Sequence, residues 1–187
     1  MFLFGSVGIF LLITNYKTLV KMTIKDDEFL TLIGLFGGIG NGCSRFFWNL
    51  LFSKTGLKTV LLTVFTLSMI VFSTIRFTVE IKKAYLFEIF VIECCLGGLM
   101  VSTPTGLQST YGPAIGSKIY GLYWETFSFS YLLAWIFVSQ LTNKIGFNNI
   151  IYICLFMMAL AFPVVVFLKF QGPWENDTTQ LEFFVQR

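Results

Sequence analysis

The chain has 187 residues, 56% of them hydrophobic, with only 13 Lys and Arg set against 10 Asp and Glu. Globular chains run about 25% charged, so the charge that would cover a soluble surface is missing, and a scattered net charge of +3 does not suit a nucleic-acid partner. The absence of histidine excludes an imidazole base and His-ligated zinc or haem. Cys43, Cys94, Cys95 and Cys154 lack the spacing of a zinc site or a disulfide framework, so neither a metal nor a cofactor is expected.

A hydrocarbon core about 30 Å thick takes roughly 20 residues of α-helix, and six apolar segments match or approach that length. The first, residues 1–20, is interrupted by Lys17 and runs into a charged link at 21–28. It lacks the basic start and small-residue cleavage site of a signal peptide, and its abrupt start at Met1 suggests part of a longer protein. The second, 29–52, contains one charge, Arg45, and is separated by a short loop at 53–58 from the third, 59–75. After a charged stretch at 76–83 comes the fourth, 84–110, with Glu88 and Glu93; Gly97, Gly98 and Pro104 mark an expected kink or break within it. Tyr111-Gly112-Pro113 and Gly116 read as a helix break. The fifth segment, 119–142, contains Glu125, and the turn at 143–149 leads to the sixth, 150–168. Residues 171–187 read as a polar tail. Alternating strands of about ten residues, the mark of a membrane β-barrel, are absent. The expected fold is therefore an all-α, multi-pass membrane protein of six transmembrane helices in one domain, 1–170, in contact with the lipid bilayer.

Buried ionisable groups are costly in a bilayer, so their distribution separates the helices. The sixth segment has no charge or amide, and the third has only hydroxyls, which bond back to their own carbonyls; both read as lipid-facing scaffold. Segments two, four and five hold Asn41, Arg45, Glu93, Gln108 and Glu125, as if lining something polar. Gly34, Gly38 and Gly42 recur every four residues, a stripe for which a packing seam is sufficient explanation. Gly37, Asn41 and Arg45 form a second stripe with an amide one turn from a guanidinium, which suits an anionic ligand. Two other roles remain open for Arg45: snorkelling to the headgroups or an internal ion pair. Glu93 and Glu125 read either as its neutralising partners or as proton-coupling carboxylates.

Residues 41–58, Asn-Gly-Cys-Ser-Arg-Phe-Phe-Trp-Asn-Leu-Leu-Phe-Ser-Lys-Thr-Gly-Leu-Lys, resemble the N-G-x-x-R-x-x-W-G-x-x-x-D-x-x-G-R-K region of the major facilitator superfamily. The similarity is to its oxalate:formate antiporter and monocarboxylate transporter branch. Phe4-Gly5 to Asn15-Tyr16-Lys17, Gly97-Gly98 with Pro104, and Tyr120-Gly121-Leu122-Tyr123 extend it over most of residues 1–170, as the C-terminal half of such a carrier. The resemblance implies alternating access, with Arg45 at the substrate carboxylate, Asn41 beside it in the cavity, and Lys54, Gly56 and Lys58 in the cytoplasmic gating loop. Asn49, Ser53 and Leu57 replace the motif's Gly, Asp and Arg, removing most of that gate's charge relay. Phe127 stands where oxalate carriers place a lysine, so a monocarboxylate is expected before a dicarboxylate.

Lys and Arg divide almost evenly between the two sides, so orientation comes from the resemblance alone: the 53–58 loop and the tail are expected in the cytoplasm. A glycan on the sequon Asn176-Asp177-Thr178 would contradict this. The expected function is transport of a small organic anion, not enzymatic chemistry. The alternative is an incomplete half-transporter or accessory subunit, inactive until paired with a second six-helix half.

Overall fold

The computed structural model describes residues 2–20 and 24–167, and no strand occurs among them. In chain order they form α1 (Phe2–Val20), α2 (Asp27–Thr78), α3 (Lys82–Ile136), a π-helical turn (Phe137–Leu141), α4 (Thr142–Ile145) and α5 (Phe147–Phe167). Three helical stretches, Asp27–Thr78, Lys82–Gly112 and Phe147–Phe167, are long and apolar enough to cross a membrane. The expected tail at 171–187, with its sequon and its cytoplasmic side, lies outside the described residues.

Straight, the 52 residues of α2 would extend about 78 Å, far more than one crossing. Instead α2 kinks at Gly56 (φ 79°, ψ 175°), α3 kinks at Gly112 (φ 75°, ψ 162°), and Gly146 (φ 77°) closes α4. Positive φ sets Cβ against the backbone in other residues, so glycine is the residue that turns the chain this sharply. The turn expected over 53–58 is thus confined to one residue: Thr55 and Leu57 are both helical.

The kink expected around Gly97, Gly98 and Pro104 is absent, while the break expected over 111–116 is present and confined to Gly112; Gly97, Gly98 and Gly116 are close approaches. The non-helical dihedral inside α3 is at Gly112, so the helix runs through Gly97, Gly98, Pro104 and Gly116. A Cβ at Gly116 would lie 2.7 Å from Leu107 O and Gln108 Cα. Glycine there lets the two limbs of α3 fold against each other.

α1 packs on α3 and α5, and α2 packs on the same two helices. Tyr85, Phe65, Phe72, Ile9, Leu11, Leu12 and Leu61 are fully buried in the core. Gly5 makes room for the Phe65 ring, and a Cβ at Gly8 would lie 2.8 Å from Phe72 and 3.1 Å from Met158 Sδ. Such close contacts hold helices together where lipid is as apolar as leucine. On the second limb of α2, Thr63 donates to Thr59 O at 2.8 Å, Thr66 to Leu62 O at 2.7 Å and Ser73 to Met69 O at 2.8 Å. These hydroxyls are satisfied within their own helix.

Helix ends are fixed by polar groups outside the apolar stretches. Asp26 caps α2 by accepting from Phe29 N at 3.0 Å, and Lys82 at the start of α3 donates to Asp26 Oδ2 at 2.6 Å. The Lys82 hydrogen bond, with help from the Phe29 N–H, holds the Asp26 carboxyl below the usual carboxylate range. Lys58, from the predicted gating loop, donates to Val166 O at 2.5 Å. This bond ties the segment after Gly56 to α5.

Candidate functional site

The first limbs of α2 and α3 meet along a seam of small residues. Cβ atoms added at Gly37 and Gly40 would lie 2.9 Å from Glu93 Cγ and 2.7 Å from the Phe90 ring. From the α3 side, Cβ atoms at Gly97 and Gly98 would meet Asn41 O at 2.6 Å and the Trp48 ring at 2.9 Å. Two side chains of α2 converge on one α3 carbonyl: Trp48 Nε1 donates to Cys94 O at 2.8 Å and Ser44 Oγ at 3.2 Å. Backbones this close leave space for little beyond hydrogen at the contact points.

The stripe that packs is therefore Gly37, Gly40, Ser44 and Trp48, not the predicted Gly34, Gly38 and Gly42. Gly34 lies under the hydroxyl of Tyr16 from α1, while nothing stands within 4 Å of a Cβ at Gly38 or Gly42. Glycine at four-residue spacing identifies a smooth surface but not its partner. The residues that face it from the neighbouring helix decide which stripe turns inward.

Asn41 sits at the edge of this seam and joins two charged residues. Its Nδ2 donates to Glu93 Oε2 at 3.1 Å, and its Oδ1 accepts from Arg45 Nη2 at 3.0 Å. The amide suits this place because it has a donor at one end and an acceptor at the other. The predicted pairing of Asn41 with Arg45 is present, and Glu93 joins them through the amide. Among the described residues Arg45 has no ion pair with Glu93 or Glu125. Its guanidinium turns back one helical turn towards the N-terminus of α2, away from the Gly56 end at which a snorkelling side chain would aim.

Arg45 is exposed and Asn41 and Glu93 are half-buried. Beside Arg45 lies the open flank at Gly38 and Gly42. A guanidinium has five N–H donors in a planar fork; Asn41 orients one end of that fork and leaves the rest to reach an approaching carboxylate. Glu93 reaches the cation only through the Asn41 amide.

Other predicted positions are elsewhere. Glu125 is exposed and makes no hydrogen bond or ion pair among the described residues. Lys54 is exposed, and Gly56 forms the kink. Phe127 is 2% exposed and packs edge-on to Phe10, with ring centroids 5.0 Å apart, so this position belongs to the apolar core. Two participants were not singled out by sequence: Tyr16, which covers Gly34, and Ser44, which ties the seam. Both owe their roles to contacts between helices, which spacing within one helix does not display.

Compared with family models, curated proteins and solved structures, the chain has no match. A functional reading rests on the geometry of Arg45, Asn41 and Glu93 and on the apolar helices that carry them.

Proposed function

We propose that this chain is a membrane carrier for a small organic anion, a monocarboxylate in preference to a dicarboxylate, working by alternating access in the manner of the major facilitator superfamily. In this reading the chain crosses six times, α2 and α3 dividing at Gly56 and Gly112, with the tail in the cytoplasm. Arg45 takes the substrate carboxylate, Asn41 orients the guanidinium, and Glu93 holds the Asn41 amide. Lys54, Gly56 and Lys58 form the gating turn, and Glu125 remains a candidate for ion coupling.

The observation that carries the reading is the oriented but uncovered Arg45 within the apolar helix α2. A charge at such a place is costly unless it serves water, protein or a ligand. The Phe127 core position supplies no second cation for a dicarboxylate.

The test is uptake of labelled lactate, pyruvate and oxalate into liposomes holding the full chain. Arg45→Leu is expected to abolish uptake while leaving insertion and thermal stability intact; unchanged uptake would remove Arg45 from the site. The open flank beside Arg45 also favours a second reading, in which the chain acts only when another six-helix half covers that face. Uptake by liposomes containing this chain alone, with each copy acting as a monomer, would refute it.

A further inference from the structure

A second polar site lies one and a half turns before Glu93 on α3 and makes no contact with Arg45. Glu88 is 6% exposed. Thr74 Oγ1, near the end of α2, lies 2.7 Å from its Oε1, and Thr78 Oγ1 lies 2.5 Å from its Oε2. The same hydroxyls face backbone acceptors. Thr74 Oγ1 is 3.0 Å from Ile70 O and 3.2 Å from Val71 O, and Thr78 Oγ1 is 3.3 Å from Thr74 O. Two carboxyl oxygens and three carbonyls thus compete for two hydroxyl hydrogens.

No side-chain cation relieves this shortage among the described residues. Arg76 on α2 donates to Tyr152 of α5 at 2.5 Å, and Lys82 is paired with Asp26. Glu80, Lys83 and, on α1, Lys17 are exposed. Tyr85 on α3 donates to the carbonyl of Tyr16 on α1 at 2.7 Å. A metal ion does not fit the spacing either. Separations of 2.5 and 2.7 Å are those of oxygens sharing one hydrogen, whereas oxygens that each lie 2.3–2.6 Å from a hard cation stand further apart from one another.

We infer that Glu88 is a proton-binding site whose proton keeps the Thr74–Thr78 end of α2 closed on α3. With the proton in place every hydrogen has one acceptor. Glu88 donates to Thr78 Oγ1, Thr78 to Thr74 O, and Thr74 to Glu88 Oε1. Release of the proton to water leaves a carboxylate that draws both hydroxyls away from the carbonyls and still lacks a counter-charge. Such an anion requires water, and the helix ends part to admit it. The inference is independent of the carrier reading, since it concerns a different site and its test measures no transport.

The test uses the full chain in phosphatidylcholine vesicles over a range of pH. Infrared difference spectra are expected to show a protonated-carboxyl band near neutral pH that is lost in Glu88→Gln and retained in Glu93→Gln. Amide exchange of residues 74–82, corrected for its intrinsic pH dependence, should accelerate as that band disappears in alkali and remain slow throughout in Glu88→Gln. Thr78→Val should keep the band while exchanging faster already at neutral pH. A neutral-pH spectrum unchanged by Glu88→Gln would overturn the proton site. Exchange that ignores the band's disappearance would overturn its control of closure.

Discussion

Gly97→Ala tests the packing between α2 and α3 at its tightest point. The new Cβ would lie 2.5 Å from Ser44 Oγ and 2.6 Å from Asn41 O. The second distance is about 0.8 Å inside the 3.4 Å of an ordinary contact. Ser44 can rotate away, losing its bond to Cys94 O, but the Asn41 carbonyl belongs to the α2 backbone. The helices must therefore separate, stretching the 3.1 Å bond from Asn41 to Glu93. Overpacking costs about 1–3 kcal/mol and a weakened hydrogen bond about 0.5–1.5 kcal/mol, while alanine returns up to about 1 kcal/mol of helix propensity. The net loss is about 0.5–3.5 kcal/mol, read as a shift in reversible unfolding in mixed detergent micelles. Gly38→Ala and Gly42→Ala, with open space around each Cβ, should match or slightly exceed the parent in stability. Damage from Gly42→Ala equal to that from Gly97→Ala would refute the assignment of the seam.

Three further outcomes follow from local geometry. Gly56→Ala at φ 79° should cost about 1–2 kcal/mol, the penalty of left-handed backbone for a residue with Cβ, in the same unfolding assay. Trp48→Phe removes the donor to Cys94 O and should cost about 1 kcal/mol, with Ser44 still bonded to that carbonyl. Asp26 has a carboxyl pKa below its unfolded value because of Lys82 and the Phe29 N–H. The stability it contributes is present above about pH 3.9 and is lost as pH falls through the lower folded value. Asp26→Asn retains a good helix cap and should flatten that acid limb of the stability profile; an unchanged limb would show that Asp26 does not cause it.

Composition alone made the all-helical, membrane-compatible character legible, because a chain this poor in charge cannot cover itself with a polar surface. The stripe of Asn41 and Arg45 was legible too, since residues four apart share a helix face whatever surrounds them. The partner of each stripe was not. Gly34, Gly38 and Gly42 looked like the seam, but glycine has no side chain to signal inside from outside. The residues that decide, Glu93, Cys94, Gly97 and Gly98, lie on another helix. The kink expected at Gly97 and Gly98 is a close approach for a related reason, and the break expected over 111–116 falls at Gly112 while Gly116 is a close approach: the same missing Cβ serves a kink or a close approach, and the neighbouring backbone determines which. At Gly56 and Gly112 the kink itself was anticipated, with the surrounding loops narrower than expected. Glu88, Thr74 and Thr78 come together across the short link between α2 and α3, where a threonine pair on one helix end faces a carboxyl on the next.

Recognition of an anion by Arg45 is the central claim, and the most direct test of the proposed carrier function is competition for uptake. Saturable uptake of labelled lactate into liposomes holding the full chain should be inhibited by unlabelled lactate. The uncharged isostere lactamide, which offers the guanidinium no carboxylate, should leave uptake unaffected. Equal inhibition by the two compounds would contradict the account.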